Sequence, residues 1–79
     1  MKIEIKLFAS LAAYASHQDL APDGSLCLKS PATIKDAVLY LGVPESEIKL
    51  VFLNGARASM ESSLKENDRV GIFPPIGGG

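Results

Sequence analysis

The sequence lacks the features that mark several large classes of protein. Its 79 residues contain no tryptophan, one histidine and one cysteine, which excludes an internal disulfide and leaves no spacing of metal ligands. No apolar run approaches the roughly 18 to 20 residues that cross a bilayer, and the first residues lack the apolar segment of a signal peptide. Basic residues are spread from Lys2 to Arg69 without a cluster, which argues against nucleic-acid binding. We therefore expect a cytoplasmic protein without bound metal, and no nucleic-acid or membrane partner.

Apolar residues are abundant enough to form one hydrophobic core. Hydrophobic residues make up 47% of the chain and charged residues 22%, with a formal net charge of -1. These proportions are unlike those of disordered chains, and 79 residues leave room for one domain only. Because no disulfide can staple the fold, packing of the core has to stabilise it.

Apolar runs predict five strands. The predicted strands are 2–8, 25–29, 50–53, 56–58 and 69–73. The first alternates strictly, with Ile3, Ile5 and Leu7 on one side, which is the period of a half-buried strand. The run 50–53 is continuous, which predicts a central strand covered on both faces. The Asn54-Gly55 pair that follows is suited to a tight hairpin.

A helix is predicted from Thr33 to Leu41, and a shorter one from 10 to 15 ahead of a turn at 19–25. Thr33 is suited to cap the helix start, and Gly42 followed by Pro44 to end it. Apolar residues follow the helical period at Ile34, Ala37, Val38 and Leu41. The helix should therefore pack on the sheet, in a core that contains Ile5, Leu7, Val38, Leu41, Val51, Leu53, Val70 and Ile72.

The last six residues form a separate kind of segment. Pro74 and Pro75 remove two donors from the strand ladder, so the sheet should end there. We therefore divide the chain into a domain at 1–73 and a flexible C-terminal tail at 74–79 that ends in Gly-Gly. A stiff base with a glycine tip suits insertion into a narrow channel, because glycine has no Cβ to clash with its walls. From composition alone, a frayed or appended end is an equally good interpretation.

The residues around the tail carry a family resemblance. Residues 67–72 followed by Phe73-Pro74-Pro75-Ile76-Gly77-Gly78-Gly79 resemble the end of the MoaD/ThiS family of ubiquitin-like small sulfur-carrier proteins. Residues 5–9 resemble the first strand of that family, and residues 50–55 its hairpin. The resemblance implies an α+β protein with the ubiquitin-like β-grasp fold, in which one main helix packs across a mixed sheet.

The resemblance also implies a chemistry for the C-terminus. An ATP-dependent, ubiquitin-activating-type adenylyltransferase (MoeB-like) adenylates the terminal glycine, and sulfur from a donor then replaces AMP. Gly79 would thus carry a thiocarboxylate, and the residues expected to contact partners are Phe73, Pro74, Pro75, Ile76, Gly77 and Gly78. The chain itself would bind no cofactor, ATP being used by the activating partner, and it would be a carrier rather than an enzyme.

The Phe-Pro-Pro segment favours the MoaD branch of the family. The chain would then be the small subunit of molybdopterin synthase, in which a MoaE-like large subunit is the catalyst. A ThiS-type carrier for thiamine biosynthesis, a ubiquitin-like protein modifier and a plain interaction module remain alternatives. Phe73 itself has two open placements, capping the core or lying exposed at the base of the tail as a partner contact.

The other chemically notable residues receive structural interpretations. We interpret His17 as a solvated side chain and Cys27, between two leucines, as a small hydrophobe. Arg57 and Arg69 are predicted to lie on a solvated face. The acidic residues predicted to be solvated are Glu45, Glu47 and those of the 61–68 stretch.

Overall fold

The computed structural model describes residues 1–16 and 18–75. They form a mixed, five-stranded sheet in the order β2-β1-β5-β3-β4. The strands are β1 (Lys2–Leu7), β2 (Ser25–Cys27), β3 (Leu50–Leu53), β4 (Ala56–Arg57) and β5 (Arg69–Phe73). Neighbouring strands are antiparallel except β1 and β5, which run parallel in the middle of the sheet.

One α-helix, α1 (Ile34–Tyr40), packs against one face of the sheet, as predicted. Thr33 caps its start in a reciprocal arrangement: the Asp36 amide donates to the Thr33 hydroxyl (3.2 Å), and the Thr33 amide donates to the Asp36 carboxylate (2.8 Å). Leu41 ends the helix, and Gly42 follows with a φ of 82°, a conformation that favours glycine. Two 3-10 helices, Ala9–Ser16 and Glu45–Glu47, lie in the connections. No helix in residues 1–16 and 18–75 is long and apolar enough to cross a membrane.

The predicted core is confirmed. Six of its eight named residues are buried in one cluster, and Leu7 and Leu53 pack against it as half-buried side chains. The six buried ones are Ile5, Val38, Leu41, Val51, Val70 and Ile72. Because the core residues of the strands alternate with outward ones, the same strands present a second face that the helix does not cover.

Two expectations about strands are wrong. β3 lies inside the sheet, between β5 and β4, but it is not covered on both faces, because Val51 alone of its four residues is buried. The middle position belongs to β5, which inserts between β1 and β3. Cys27 is exposed, not packed as a small hydrophobe. Leu26 is buried, so strand alternation turns Cys27 to the other side, whatever the character of its neighbours.

A third correction concerns Asp68, which is buried rather than solvated. Its carboxylate accepts hydrogen bonds from the Asn54 side-chain amide (3.0 Å) and the Lys65 backbone amide (2.7 Å). Asn54 in turn accepts a bond from the Arg69 amide (2.9 Å). The bond from Asn54, followed by that from Lys65, holds the pKa of Asp68 below its ordinary value despite burial. This network ties the β3–β4 hairpin to the start of β5.

Candidate functional site

The base of the tail lies at the end of the central strand. The Lys49 amide donates to the Phe73 carbonyl (2.8 Å), which extends the pairing of β3 with β5 to the last residue of β5. Pro74 is buried and Pro75 is exposed. The chain therefore leaves the sheet at its centre, held up to Pro74. The predicted site residues from Ile76 to Gly79 lie outside the described residues, as does His17.

Phe73 lies in a group of three aromatic rings. Its ring is stacked on that of Phe8, with ring centroids 4.2 Å apart and planes 3° apart. It meets Phe52 edge to face, with centroids 5.5 Å apart and planes 78° apart. We call these three residues the aromatic surface. Phe73 is half-buried there rather than capping the core, and Phe8 is 37% exposed.

Strand alternation places the aromatic surface on the face opposite α1. In β5, Val70 and Ile72 point into the core, so Gly71 and Phe73 point away from it. Gly71 lies between the strands that carry the other rings, paired with Phe52 on one side. A Cβ on Gly71 would lie 3.5 Å from the Phe8 ring and 3.6 Å from the Phe73 ring. The rings therefore pack directly over the glycine backbone.

Cationic side chains surround the aromatic surface. Lys6 and Arg69 line the same shallow cavity as the rings, and Arg57 pairs with Phe52 across the β3–β4 hairpin. All three are exposed and form no ion pair within the described part of the chain. Glu4, which lies opposite Arg69 in the register of β1 and β5, is the acidic residue of the cavity. A chain of net charge -1 thus presents a locally cationic and aromatic face, which fits an acidic partner with apolar contacts.

The titratable groups with shifted pKa values link elements of the fold. Burial, followed by the charge of Glu47, raises the pKa of Tyr14, whose hydroxyl donates to that carboxylate (3.3 Å). A hydrogen bond to Asp19 raises the pKa of Tyr40 (2.5 Å). Within the described ranges, His, Cys, Asp and Glu form no group of three that could hold a metal ion. These contacts give no arrangement for acid–base catalysis.

Sequence reasoning missed Phe8 and Phe52 as members of the site. A signal for Phe8 was present, because it is in phase with Lys2, Glu4 and Lys6 on the polar side of β1. An aromatic residue on that side indicates an exposed ring. No comparable signal marks Phe52, which lies in a continuous apolar run.

The family is shown by the match of its model to nearly the whole chain. A family model described as Mut7-C ubiquitin matches residues 1–77. The chain belongs to the Mut7-C ubiquitin family. No curated protein matches it at a significant level. As a member of this family, the chain is a MoaD/ThiS-like, ubiquitin-like small protein, which confirms the resemblance carried by its tail and strands.

Solved structures similar to this Mut7-C ubiquitin member confirm the β-grasp fold. Small archaeal modifier protein 1 of Haloferax volcanii is 26% identical, with a TM-score of 0.70 over 95% of this chain and 98% of that one. The putative molybdopterin converting factor subunit 1 of Pyrococcus furiosus is 22% identical, with a TM-score of 0.71 over 96% and 99%. A chain in the complex of molybdopterin-converting factor subunits 1 and 2 of Helicobacter pylori is 19% identical, with a TM-score of 0.57 over all of both chains. This chain thus shares the ubiquitin-like β-grasp fold with these proteins.

Proposed function

We propose that this protein carries sulfur as a thiocarboxylate on Gly79 and delivers it to a precursor of molybdopterin. The observation that supports the proposal most is the position of the aromatic surface. It lies beside the point where the tail leaves the centre of the sheet. A partner that docks on these rings would hold the base of the tail while the glycine tip enters its active site.

The chemistry requires activation of the terminal carboxylate. A carboxylate is a poor electrophile, because its carbonyl is anionic and the leaving group would be oxide. An adenylyltransferase of the ubiquitin-activating type joins it to AMP and releases pyrophosphate from ATP. A sulfide equivalent from the sulfur donor then displaces AMP, which leaves the thiocarboxylate. This chain contributes the carboxylate and its presentation, and the partners contribute the catalytic groups.

Docking on the aromatic surface has a physical basis. Half-buried aromatic rings offer apolar area at little cost in side-chain entropy, and such residues are enriched where binding energy concentrates. Lys6, Arg57 and Arg69 around the rings would meet acidic groups of a partner. The activating enzyme and the large subunit would use this same face in turn, because each has to receive the same tail.

The molybdopterin branch rests on the Phe-Pro-Pro segment and on two neighbours. One neighbour is described as subunit 1 of molybdopterin converting factor, and the other is a chain in a complex of subunits 1 and 2 of that factor. By analogy, a MoaE-like large subunit is the partner in which the Gly79 thiocarboxylate gives up its sulfur.

The test is a mass measurement on the chain expressed with Gly79 as its last residue. Incubated with the adenylyltransferase, ATP and a sulfur donor, it should gain the mass difference of one oxygen replaced by sulfur. Deleting Gly79 shortens the reach by about 3.3 to 3.6 Å, and a misplacement of 1 Å alone can slow a reaction about 100-fold. The truncated chain should therefore remain unmodified while folding normally. Cys27→Ser is the control, and its failure to gain sulfur would contradict a terminal-carboxylate mechanism.

A second candidate function is modification of proteins. It is favoured by the 26% identity to small archaeal modifier protein 1. In that case the activated Gly79 is joined to a lysine amine of a target, with loss of AMP. Isopeptide-linked adducts isolated from cells would show this function, whereas a carrier alone leaves a thiocarboxylate. A separate assay tests the molybdopterin branch. The chain loaded with sulfur is incubated with a MoaE-like large subunit and a pterin precursor, and transfer of sulfur from Gly79 to the precursor is measured.

A further inference from the structure

A second surface lies at the opposite side of the sheet from the β3–β4 hairpin. The edge strand β2 and the helix α1 border an open groove of about 700 Å³. Its walls include Leu28, Pro31, Ala32 and the half-exposed ring of Tyr40. The groove is thus mainly apolar, and it shares no lining residue with the aromatic surface.

The backbone of Cys27 points out of the sheet toward this groove. Leu28 and Met1 exchange both of their hydrogen bonds, at 2.8 and 2.9 Å, so they form a hydrogen-bonded pair of the antiparallel ladder. Such pairs alternate with pairs that exchange none. Cys27, paired with Lys2, belongs to the second kind, so its N–H and C=O face away from β1. An exposed strand edge of this type can accept a further strand.

The rest of the β2 edge is already closed. The Ser25 carbonyl accepts a bond from the Ala21 amide (2.9 Å), and the Ser25 amide donates to the Asp23 carboxylate (2.9 Å). The open edge therefore begins at Cys27 and continues toward Lys29, beside the groove. A segment that pairs here can place alternate side chains in the groove.

Of the two charged residues that line the groove, Lys29 is the one available to pair with an occupant, which favours a carboxylate there. Lys29 lines it, is exposed and forms no ion pair within the described part of the chain. The carboxylate of Asp36, the other charged residue of the wall, is engaged by the Thr33 amide (2.8 Å) and hydroxyl (3.1 Å) in the helix cap. A second copy of this chain fits poorly, because antiparallel pairing about Cys27 would oppose Lys29 to the closed Ser25 edge.

We propose that the β2 edge and its groove bind an extended, acidic segment of a partner protein, which joins the sheet as an additional strand beside Cys27. Main-chain hydrogen bonds to Cys27 supply pairing, the groove takes apolar side chains and Lys29 takes a carboxylate. The proposal is independent of the chemistry at Gly79. It gives the protein a docking site that remains available while the aromatic surface and the tail are engaged.

The test uses the intact chain and a synthetic probe followed by amide NMR. The probe is a short, end-blocked peptide of alternating valine and threonine that ends in two aspartates. We expect saturable shifts at Cys27, Lys29 and α1. The same peptide with lysines in place of the aspartates should bind at least about fivefold more weakly. A version with N-methylated backbone amides should bind at least about tenfold more weakly.

Protein variants complete the test. Cys27→Pro removes the outward donor but no bond to β1, and should weaken binding about tenfold or more, whereas Cys27→Ala should bind like the parent. Lys29→Glu should weaken binding about fivefold, and the remote Lys49→Glu should not. Circular dichroism verifies that each variant is folded. If Cys27→Pro does not fold, the N-methylated probe tests the main-chain pairing in its place. Shifts confined to the aromatic surface, equal binding of the N-methylated probe, or concentration-dependent dimerisation through β2 without peptide would each overturn the proposal.

Discussion

The two faces of the sheet are made by the same strands but covered differently. On the face under α1, Ile5 and Ile72 are at most 1% exposed, as is Val38 of the helix that covers them. On the other face, Phe8 is 37% exposed and stacks on Phe73, which also meets Phe52 edge to face above the backbone of Gly71. Neighbouring residues of one strand therefore serve stability on one side and binding on the other. Substitutions at adjacent positions should separate the two properties.

We expect the largest loss of stability from a substitution on the core face at Ile72, which is fully buried on the central strand. Ile72→Ala removes buried atoms and leaves a cavity, so we expect the free energy of unfolding to fall by about 2–5 kcal/mol. Equilibrium denaturation in urea measures it. Ile72→Val, expected to cost about 0.5–1.5 kcal/mol, is the control. An alanine variant no less stable than the valine variant would contradict the assigned packing.

The hydrogen bond between Asn54 and buried Asp68 should make the free energy of unfolding depend on Asn54 and on pH. Asn54→Gly removes the donor to buried Asp68 while glycine accepts the φ of 52°, so we expect a loss of about 1–3 kcal/mol at neutral pH. Asp68 has a folded pKa below its unfolded value of 3.8, so its stabilisation is present above that value and is lost as pH falls through the folded pKa.

Urea denaturation between neutral and acid pH tests this prediction. The parent should lose more stability on acidification than Asn54→Gly, since the variant has less of the shift to lose. Asn67→Gly is the matched control, an exposed asparagine that also has positive φ, at 69°. A similar cost at both positions would assign the effect to the backbone rather than to Asp68.

The helix that covers the core face should weaken moderately without its cap. Thr33→Ala leaves the Asp36 amide without its acceptor, which should cost about 0.5–2 kcal/mol. Thr33→Ser retains the hydroxyl and should recover most of the loss. Thermal unfolding monitored by circular dichroism gives the comparison, and equal losses in both variants would show that the capping hydroxyl is not the cause.

The outer face should show the smallest change in stability but a clear change in binding. Phe8→Ala removes the stack on Phe73, worth about 0.5–1.5 kcal/mol. If Phe8 is part of the docking face, affinity for the adenylyltransferase should fall by about 2 kcal/mol, or about thirtyfold. Leu39→Ala, at a 52% exposed position on α1, is the control. Equal effects of the two variants on affinity would contradict docking on the aromatic surface.

Local patterns predicted most of the secondary structure because they depend on neighbours in sequence. Thr33 and Asp36 mark the helix start through local hydrogen bonds, and Gly42 marks its end through a positive φ, so neither signal needs a tertiary contact. Alternation in β1 and β5 likewise identified the core side of each strand correctly. The assignment of Cys27 failed because it followed the apolar character of the neighbours instead of strand alternation. The assignment of β3 failed because its cover depends on the order in which distant strands pair.

The sequence by itself determined the β-grasp elements and the side of β1 and β5 that enters the core, whereas the flexible tail at 74–79 remains a prediction. Only the tertiary structure decided that β5 is central, that Asp68 is buried with Asn54, and that Phe8, Phe52 and Phe73 meet. The physical reason is the distance along the chain. Periodicity records which way a side chain points from its own strand, whereas contacts between β1, β3 and β5 depend on the order in which distant strands pair.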